Sequence, residues 1–159
     1  MKKDKTDNDV KLLTEVRDLF VTDTHTLAEQ DDDGDLKLKV FFSPEVTASS
    51  YIACADYGYV IVIDFDFGTR KHKYVLTKKA NEINENLREG AFFVSSEDCH
   101  LRWKNHIPYM EGLKALDVAR SFKIGISSFL TMIGDFVEAM EKDTGDTDVI
   151  IIEPTGESV

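Results

Sequence analysis

Two carboxylates on one predicted strand are the residues of this 159-residue chain whose types and spacing most resemble a chemical site. Asp64 and Asp66 alternate with apolar residues, which places them on one strand face about 6.5–7 Å apart. Carboxylates at such a distance can hold a divalent metal or act as general acid and base. The sequence shows no Gly-rich phosphate loop and no neighbouring His that would complete the site. A solvated strand face is therefore favoured, and a small metal-dependent hydrolase is kept as an alternative.

The acidic turn Asp31-x-Asp33-Gly34 is similar to the middle of a calcium-binding loop. With Gly34 as the sixth residue of such a loop, Val40 becomes the twelfth, where a bidentate carboxylate is required. The residues after the turn also alternate as a strand rather than forming a helix. The sequence therefore predicts a polar turn and no calcium site.

The histidines and cysteines do not form a predicted metal or catalytic site. His100 and His106 would share a strand face but lie about 20 Å apart along it, and Cys99 would point to the opposite face. Neither Cys54 nor Cys99 lies in the context of a reactive thiol. Two cysteines this far apart are typical of thiols in a reducing compartment rather than of a disulfide framework. We expect no bound cofactor, no metal and no catalytic residue.

A row of basic residues on one predicted strand is a candidate binding surface. His100, Arg102, Lys104 and His106 would all point outward from the sheet. Residues 70–106 carry a net charge of +3, between an acidic first part (−8 over residues 1–69) and an acidic last part (−6 over residues 107–159). Such a row could dock an acidic partner or the acidic helices of a second copy, and a solvated face is the alternative.

The composition excludes several classes of protein. The net charge is −11 and the sequence pI is near 4.7, which argues against general nucleic-acid binding, because that affinity comes mainly from Lys and Arg. Hydrophobic residues make up 42% of the chain, so it can bury the core of a single domain without metals or disulfides. No apolar run of 18 residues occurs, and the start Met1-Lys2-Lys3-Asp4-Lys5 leads into polar residues. We therefore expect no membrane span, no signal peptide and a cytoplasmic location.

The elements that must position these residues follow from periodicity. Helical spacing and strand alternation, punctuated by Gly, Pro and Asp turns, predict an α+β fold in which helices pack on one face of a single antiparallel sheet. The tract from Lys73 to Leu76 is a possible short strand extension, and Gly90 is a predicted helix C-cap. The predicted elements are a helix at 9–30, strands at 36–42, 51–56 and 59–67, a helix at 77–88, strands at 91–95 and 99–107, and a helix at 111–142.

The last predicted helix is more apolar than one sheet face requires. This excess favours a dimer or partner interface, with core packing as the alternative. Gly125 and Gly134 lie inside this helix and mark a kink or a close helix contact. The predicted interface residues are Phe129, Ile133, Phe136 and Met140 on this helix, with Arg102 and Lys104 supplying complementary charge.

The chain is predicted to form one domain with two short extensions. Residues 1–8 are expected to be disordered and residues 9–142 to form a single α+β chaperone-like domain. Residues 143–159 are expected to be a partly flexible acidic and apolar tail. Its run Val149-Ile150-Ile151-Ile152 is either an edge strand or an exposed, sticky end.

The stretch Asn81–Val94 (NEINENLREGAFFV) resembles the signature of the bacterial YbjN-type family, once called sensory-transduction regulators. The match continues through the strand with Trp103 and the long helix after Glu111. This resemblance implies the element order α-β-β-β-α-β-β-α over about residues 9–142, which is the fold of type III secretion chaperones. Proteins of that fold are small, acidic, usually dimeric and cytosolic, and they bind other polypeptides. The family has no established catalytic residues to carry over to this chain.

The sequence therefore predicts a non-enzymatic bacterial protein of the cytoplasm that forms a homodimer and binds another polypeptide. The segment would be captured by strand addition or by a helix in a groove. No nucleic-acid or membrane partner is expected. A dedicated type III secretion effector chaperone is the alternative within this class, and the hydrolase using Asp64 and Asp66 is the alternative from another class.

Overall fold

A computed structural model gives the structure of the chain and describes residues 5–44, 46–66 and 70–150. Within these ranges it contains three α-helices, six strands and a short 3₁₀ turn at Arg70–His72. The α-helices and strands, in chain order, are α1 (Asp7–Asp18), β1 (Thr26–Gln30), β2 (Leu36–Phe41), β3 (Thr47–Cys54), β4 (Gly58–Asp66), α2 (Lys73–Asn84), β5 (Ala91–Val94), β6 (Leu101–Pro108) and α3 (Ala115–Ile150).

The six strands form one antiparallel sheet in the order β1-β2-β3-β4-β6-β5. The strands β1 and β5 are therefore its two edges. Along β2 and β4 buried residues alternate with more exposed ones, because successive side chains point to opposite sheet faces. Among the residues that the structure describes, the helices cover one face of the sheet and leave the other open. This α+β architecture confirms the predicted fold class, with one strand more than the predicted order.

The core lies between the helices and the covered face of the sheet. The rings of Phe65 on β4 and Phe129 on α3 are stacked with centroids 3.8 Å apart, and Phe92 on β5 meets Phe136 on α3 edge to face at 5.3 Å. All four rings are at most 1% exposed. Burying each such ring contributes about 1.5–3 kcal/mol to folding, so α3 is held to the sheet mainly by aromatic packing.

Gly125 allows α3 to approach the sheet closely. A Cβ atom at this position would lie 2.5 Å from the indole ring of Trp103 and 2.7 Å from the Cδ1 atom of Ile63. The interpretation of Gly125 as a close-contact residue is therefore confirmed. A Cβ atom at Gly134 would meet nothing within 4 Å among the described residues, so packing does not require that glycine.

The predicted helix at 9–30 is wrong in its second half. Helix α1 ends at Asp18, and Thr26–Gln30 forms β1, paired with β2. Three threonines between positions 22 and 26 disfavour a helix because β-branched side chains lose χ1 freedom there. Leu27, which lies inside the predicted helix, is 52% exposed. Pairing with β2 stabilises the strand and overrides the apparent helical period.

Other boundaries also differ from the predictions. Helix α2 begins at Lys73, so the predicted strand extension at 73–76 is wrong, and it ends at Asn84 rather than near residue 88. The prediction of Gly90 as the helix C-cap is wrong, because the C-cap is Glu85, and Gly90 with a φ of +69° lies between α2 and β5. Strand β3 begins at Thr47, four residues before its predicted start.

The two predicted extensions are shorter than expected. Thr6 caps α1, and Lys5 pairs with Asp35 at 2.9 Å, so the prediction of disorder is corrected for residues 5–8. Helix α3 continues through Ile150, which corrects the possible edge strand for residues 149 and 150. Residues 67–69, at the end of a predicted strand and in the turn after it, and the tail residues 151–159 lie outside the described part of the chain.

None of the helices in the described ranges is both long enough and apolar enough to cross a membrane.

Candidate functional site

A charged cluster lies on the open face of the sheet, where β4 and β6 pair. Asp64 on β4 is the cross-strand partner of Arg102 on β6. The Nε atom of Arg102 donates to Oδ2 of Asp64 at 2.8 Å, and its Nη2 atom donates to Oδ2 of Asp98 at 2.7 Å. The Nδ1 atom of His100 lies 2.8 Å from Oδ1 of Asp64. One guanidinium thus joins two carboxylates, and one of these also orients an imidazole.

The electrostatics of the cluster favour the charged forms of Asp98 and Arg102. Partial burial raises the pKa of Asp98. The hydrogen bond from the backbone N–H of His100 and the charge of Arg102 lower it by more, so the pKa is below the ordinary value. Partial burial lowers the pKa of Arg102, but the hydrogen bond and charge of Asp64 and the charge of Asp98 leave it above the ordinary value. The charges of Asp98 and Arg102 therefore compensate each other.

This cluster changes the interpretation of the predicted carboxylate pair. The sequence placed no histidine beside Asp64, and this was wrong, because His100 lies there. Ligand atoms of Asp64, Asp98 and His100 fall within 4.8 Å of one another, while Asp66 is exposed and lies outside the group. A cation bound there would have to share both carboxylates with the guanidinium of Arg102, which weakens its attraction. The geometry favours an ion-pair network that fixes the β5–β6 hairpin.

The predicted basic row divides into paired and exposed residues. Arg102 is half-buried and bridges two carboxylates. The prediction that its charge serves an acidic partner is therefore corrected, because that charge is already paired. Lys104 and His106 are exposed on the open face. Only these two remain as candidates for electrostatic contact on β6.

The predicted interface on the last helix is mostly core. Phe129 and Phe136 are 0% exposed, so their proposed role as surface contacts is corrected: they pack against the sheet. Ile133 and Met140 are half-buried beside the same core. The exposed apolar residue in this part of α3 is Leu130, at 50%.

An apolar groove lies between the start of β1, the end of β2 and the middle of α3. Phe20 and Phe122 are buried beneath it, with ring centroids 5.5 Å apart in an edge-to-face contact. Leu130, which is 50% exposed, and the half-buried Ile126 line the groove. The groove thus combines partly exposed apolar side chains with two buried aromatic rings. Its charged or titratable lining residues are Asp23, His25 and Lys123.

The edge strand β1 presents backbone groups with no partner among the described residues. His25 accepts a hydrogen bond from Phe41, and Asp31 donates one to Asp35, both at 2.9 Å. Residues of an antiparallel strand alternate between bonded and outward-facing positions. The N–H and C=O groups of Thr26, Ala28 and Gln30 therefore point away from β2, and no described residue bonds to them.

The opposite edge, β5, is closed by a side chain. The amide of Asn84 on α2 donates to the backbone C=O of Phe92 at 2.9 Å and accepts from its N–H at 2.8 Å. Phe92 is the middle of the four-residue strand, and both of its outward groups are occupied. Strand addition at β5 is blocked at this residue.

The cysteines have structural surroundings. Cys54 is buried, and burial raises the pKa of its thiol. Burial likewise raises the pKa of the neighbouring Tyr59 and Tyr109 hydroxyls. Cys99 is half-buried and has a φ of 62° in the β5–β6 turn. A buried thiol that resists ionisation is a weak nucleophile.

The acidic turn before β2 is the polar turn predicted from the sequence. The Oδ1 atom of Asp31 accepts from the backbone N–H groups of Asp33 and Asp35 at 2.9 and 3.0 Å. Gly34 has a φ of +87°. The side chain of Asp31 thus holds the turn itself.

Comparison of the chain with family models, with curated proteins and with solved structures finds no match.

Sequence reasoning missed three parts of this region. The pairing of Asp64 with Arg102 depends on β4 and β6 being neighbours, and a local pattern does not contain that information. An acidic row on one predicted strand and a basic row on another was the available signal. The free edge at β1 and the closed edge at β5 depend on tertiary placement, and no sequence signal marks Asn84 as an edge cap.

Proposed function

We propose that this chain is a non-enzymatic protein that binds a polypeptide segment in the apolar groove and acts as a homodimer. The observation that carries the proposal is the groove itself, in which Leu130 and the half-buried Ile126 offer apolar surface beside the buried rings of Phe20 and Phe122. Hot spots of polypeptide binding are typically apolar or aromatic anchors in preformed pockets. The groove is bordered by a helix and by strand ends, so it suits an amphipathic helix better than an added strand.

Charge complementarity indicates the chemistry of the bound segment. The chain carries a net charge of −11, and Asp23 lies on the groove lining. The groove-lining Lys123 lies over the ring of Phe20, with its Nζ atom 5.6 Å from the centroid. A segment with apolar anchors and flanking Lys or Arg would be attracted by the surrounding field. We therefore assign the groove to a basic amphipathic helix.

The element order supports a protein of the type III secretion chaperone class. Without β1, the order is α-β-β-β-α-β-β-α, which is the order implied by the resemblance of Asn81–Val94 to the YbjN-type family. Membership of that family, a bacterial cytoplasmic location and action as a regulator are parts of this proposal. A dedicated secretion chaperone is the narrower form, in which the bound helix belongs to one effector.

The test uses a fluorescent helical peptide of leucine and lysine and its leucine and glutamate counterpart. Fluorescence anisotropy should show binding of the basic peptide and not of the acidic one. Leu130→Glu should weaken the binding about tenfold, because it places a charge on an apolar contact. Leu116→Glu is the matched control, since Leu116 lies on the same helix, is 59% exposed and does not line the groove.

The control separates groove binding from general attraction. Both variants add one negative charge on α3, so a purely electrostatic association would respond equally to both. Equal affinities of the two variants, or binding of both peptides by the original chain, would refute the assignment of the groove. A loss confined to Leu130→Glu supports it.

A further inference from the structure

We infer that β1 pairs with β1 of a second copy, antiparallel and two-fold symmetric about Ala28, so that the two sheets join into one. This inference deepens the proposed function, since it names the surface of the proposed homodimer and rests on that homodimer alone. It is independent of what the apolar groove binds. The occupant of the free edge is another molecule of this chain rather than a foreign strand.

The register of β1 makes the edge self-complementary. The outward N–H and C=O groups belong to Thr26, Ala28 and Gln30, and Ala28 is the central residue of β1. A two-fold axis at Ala28 brings Ala28 opposite Ala28 of the second copy. It also brings Thr26 of each copy opposite Gln30 of the other, which makes three pairs in all. All three pairs are then hydrogen-bonded pairs, which allows about six inter-strand hydrogen bonds. An edge centred on a residue with inward groups could not close in this way.

The side chains on the open face fit the same axis. Leu27 and Glu29 are exposed there, and the axis places each Leu27 opposite Glu29 of the other copy. Within its own chain, the cross-strand partner of Glu29 on β2 is Lys37, and that of Leu27 is Lys39. Each Glu29 therefore has a lysine of its own chain as its cross-strand neighbour. Like charges do not face one another directly across the joint.

The size of the contact sets the expected strength. A joint of five residues a side is smaller than the roughly 800 Å² per partner of a standard interface. We therefore expect a dissociation constant in the micromolar range, about 1–100 μM. Association should depend on concentration and be read by sedimentation equilibrium over that range.

Ala28→Pro is the sharpest variant. Its N–H points away from β2, so proline removes only the outward donor and adds bulk at the axis, and proline is tolerated on an edge strand at such a position. The variant should keep the circular dichroism spectrum of the original chain and lose the dimer. A dimer that persists in folded Ala28→Pro overturns the inference, and so does an original chain that is monomeric at 200 μM, about twice the upper limit expected here.

A second pair of variants decides the matter if Ala28→Pro does not fold. Leu27→Glu places a carboxylate opposite Glu29 of the second copy, while Lys39 stabilises it within its own chain. Leu27→Lys places an ammonium group opposite the same Glu29. We expect Leu27→Glu to weaken the dimer about fivefold and Leu27→Lys to match or strengthen it. Equal dissociation constants for the two variants overturn the inference.

The failure of this inference and of the proposed function can be told apart. If the chain dimerises but β1 variants have no effect, the β1 joint is wrong and a homodimer through another surface stands. If β1 variants abolish the dimer while the basic peptide does not bind, the joint is supported and the groove assignment fails.

Discussion

The two edges of the sheet differ in how their outward backbone groups are treated. At β5, the side chain of Asn84 occupies both outward groups of Phe92. At β1, the groups of Thr26 and Ala28 have no partner among the described residues. Both strands are short, at four and five residues, so length does not explain the difference. An exposed edge is a template for pairing, and this molecule closes one such template and leaves the other available.

The two edges also differ in their surroundings. The closed edge is covered by α2, which contacts β5 extensively. The open edge lies next to the apolar groove, since Thr26 of β1 lines that groove. Association is therefore expected on the β1 side of the sheet, and the β5 side is expected to remain structural.

The largest expected effect tests the alternation within β1. Leu27→Pro removes an N–H that bonds to β2 and should lower the free energy of unfolding by at least about 2 kcal/mol. Ala28→Pro, one residue on, should change it by less than about 1 kcal/mol. Urea denaturation measures both. Equal losses would contradict the assigned alternation of inward and outward groups.

The next largest effect is expected from removing the side chain that closes the edge strand β5. Asn84→Ala leaves the N–H and C=O of Phe92 without their partner and should lower the free energy of unfolding by about 2 kcal/mol. It should also produce concentration-dependent association at β5, visible by light scattering. Asn81→Ala is the control, because Asn81 is an exposed residue of the same helix. A stable and monodisperse Asn84→Ala protein would show that the cap is not what protects this edge.

A smaller effect concerns the turn that joins β5 to β6. Cys99 has a φ of 62°, a conformation that glycine adopts without strain. Cys99→Gly should therefore raise the free energy of unfolding by about 0.5–1 kcal/mol. Gly112→Ala, at a φ of +83°, should lower it by a similar amount. Thermal unfolding of both variants is the measurement, and shifts of the same sign would contradict this explanation.

The smallest effect is the pH dependence that the charged cluster gives to the β5–β6 hairpin. The pKa of Asp98 is below its ordinary value in the folded chain, so the unfolded chain binds its proton first as pH falls. The stabilisation is complete above about pH 4 and is lost as pH falls through the folded pKa. Asp98→Asn should flatten the dependence of unfolding free energy on pH below about 4. Denaturation at pH 3 and pH 6 checks this, and an unchanged slope would contradict it.

Much of the fold is contained in local patterns. Alternation placed β2 and β4 to within two residues because each has one buried face, and the turn at Asp31 follows from its own side chain. The strand β1 was missed because Leu27 and Ala28 also fit a helical period, and only pairing with β2 decides between the two. A local sequence pattern predicts the periodicity of an element, but it does not predict which element packs or pairs beside it.

The candidate surfaces could be predicted only in part. The outward direction of Asp64 and Arg102 follows from alternation, yet their contact requires that β6 insert between β4 and β5. The prediction of an interface at Phe129 failed because Phe129 and Phe136 of α3 pack against Phe65 and Phe92 of the sheet. Exposure of Leu130 results from the width of the covered face, which the sequence of α3 alone does not determine.

Hydrogen–deuterium exchange, read by mass spectrometry at two protein concentrations, tests the central claim that the β1 side associates. Amides in Thr26–Gln30 should exchange more slowly at 200 μM than at 1 μM, concentrations that span the expected dissociation constant of about 1–100 μM. Amides in Ala91–Phe93 should exchange at the same rate at both concentrations, because β6 binds those of Ala91 and Phe93 and Asn84 binds that of Phe92. Protection at β5 instead, or no dependence on concentration at β1, would contradict the claim.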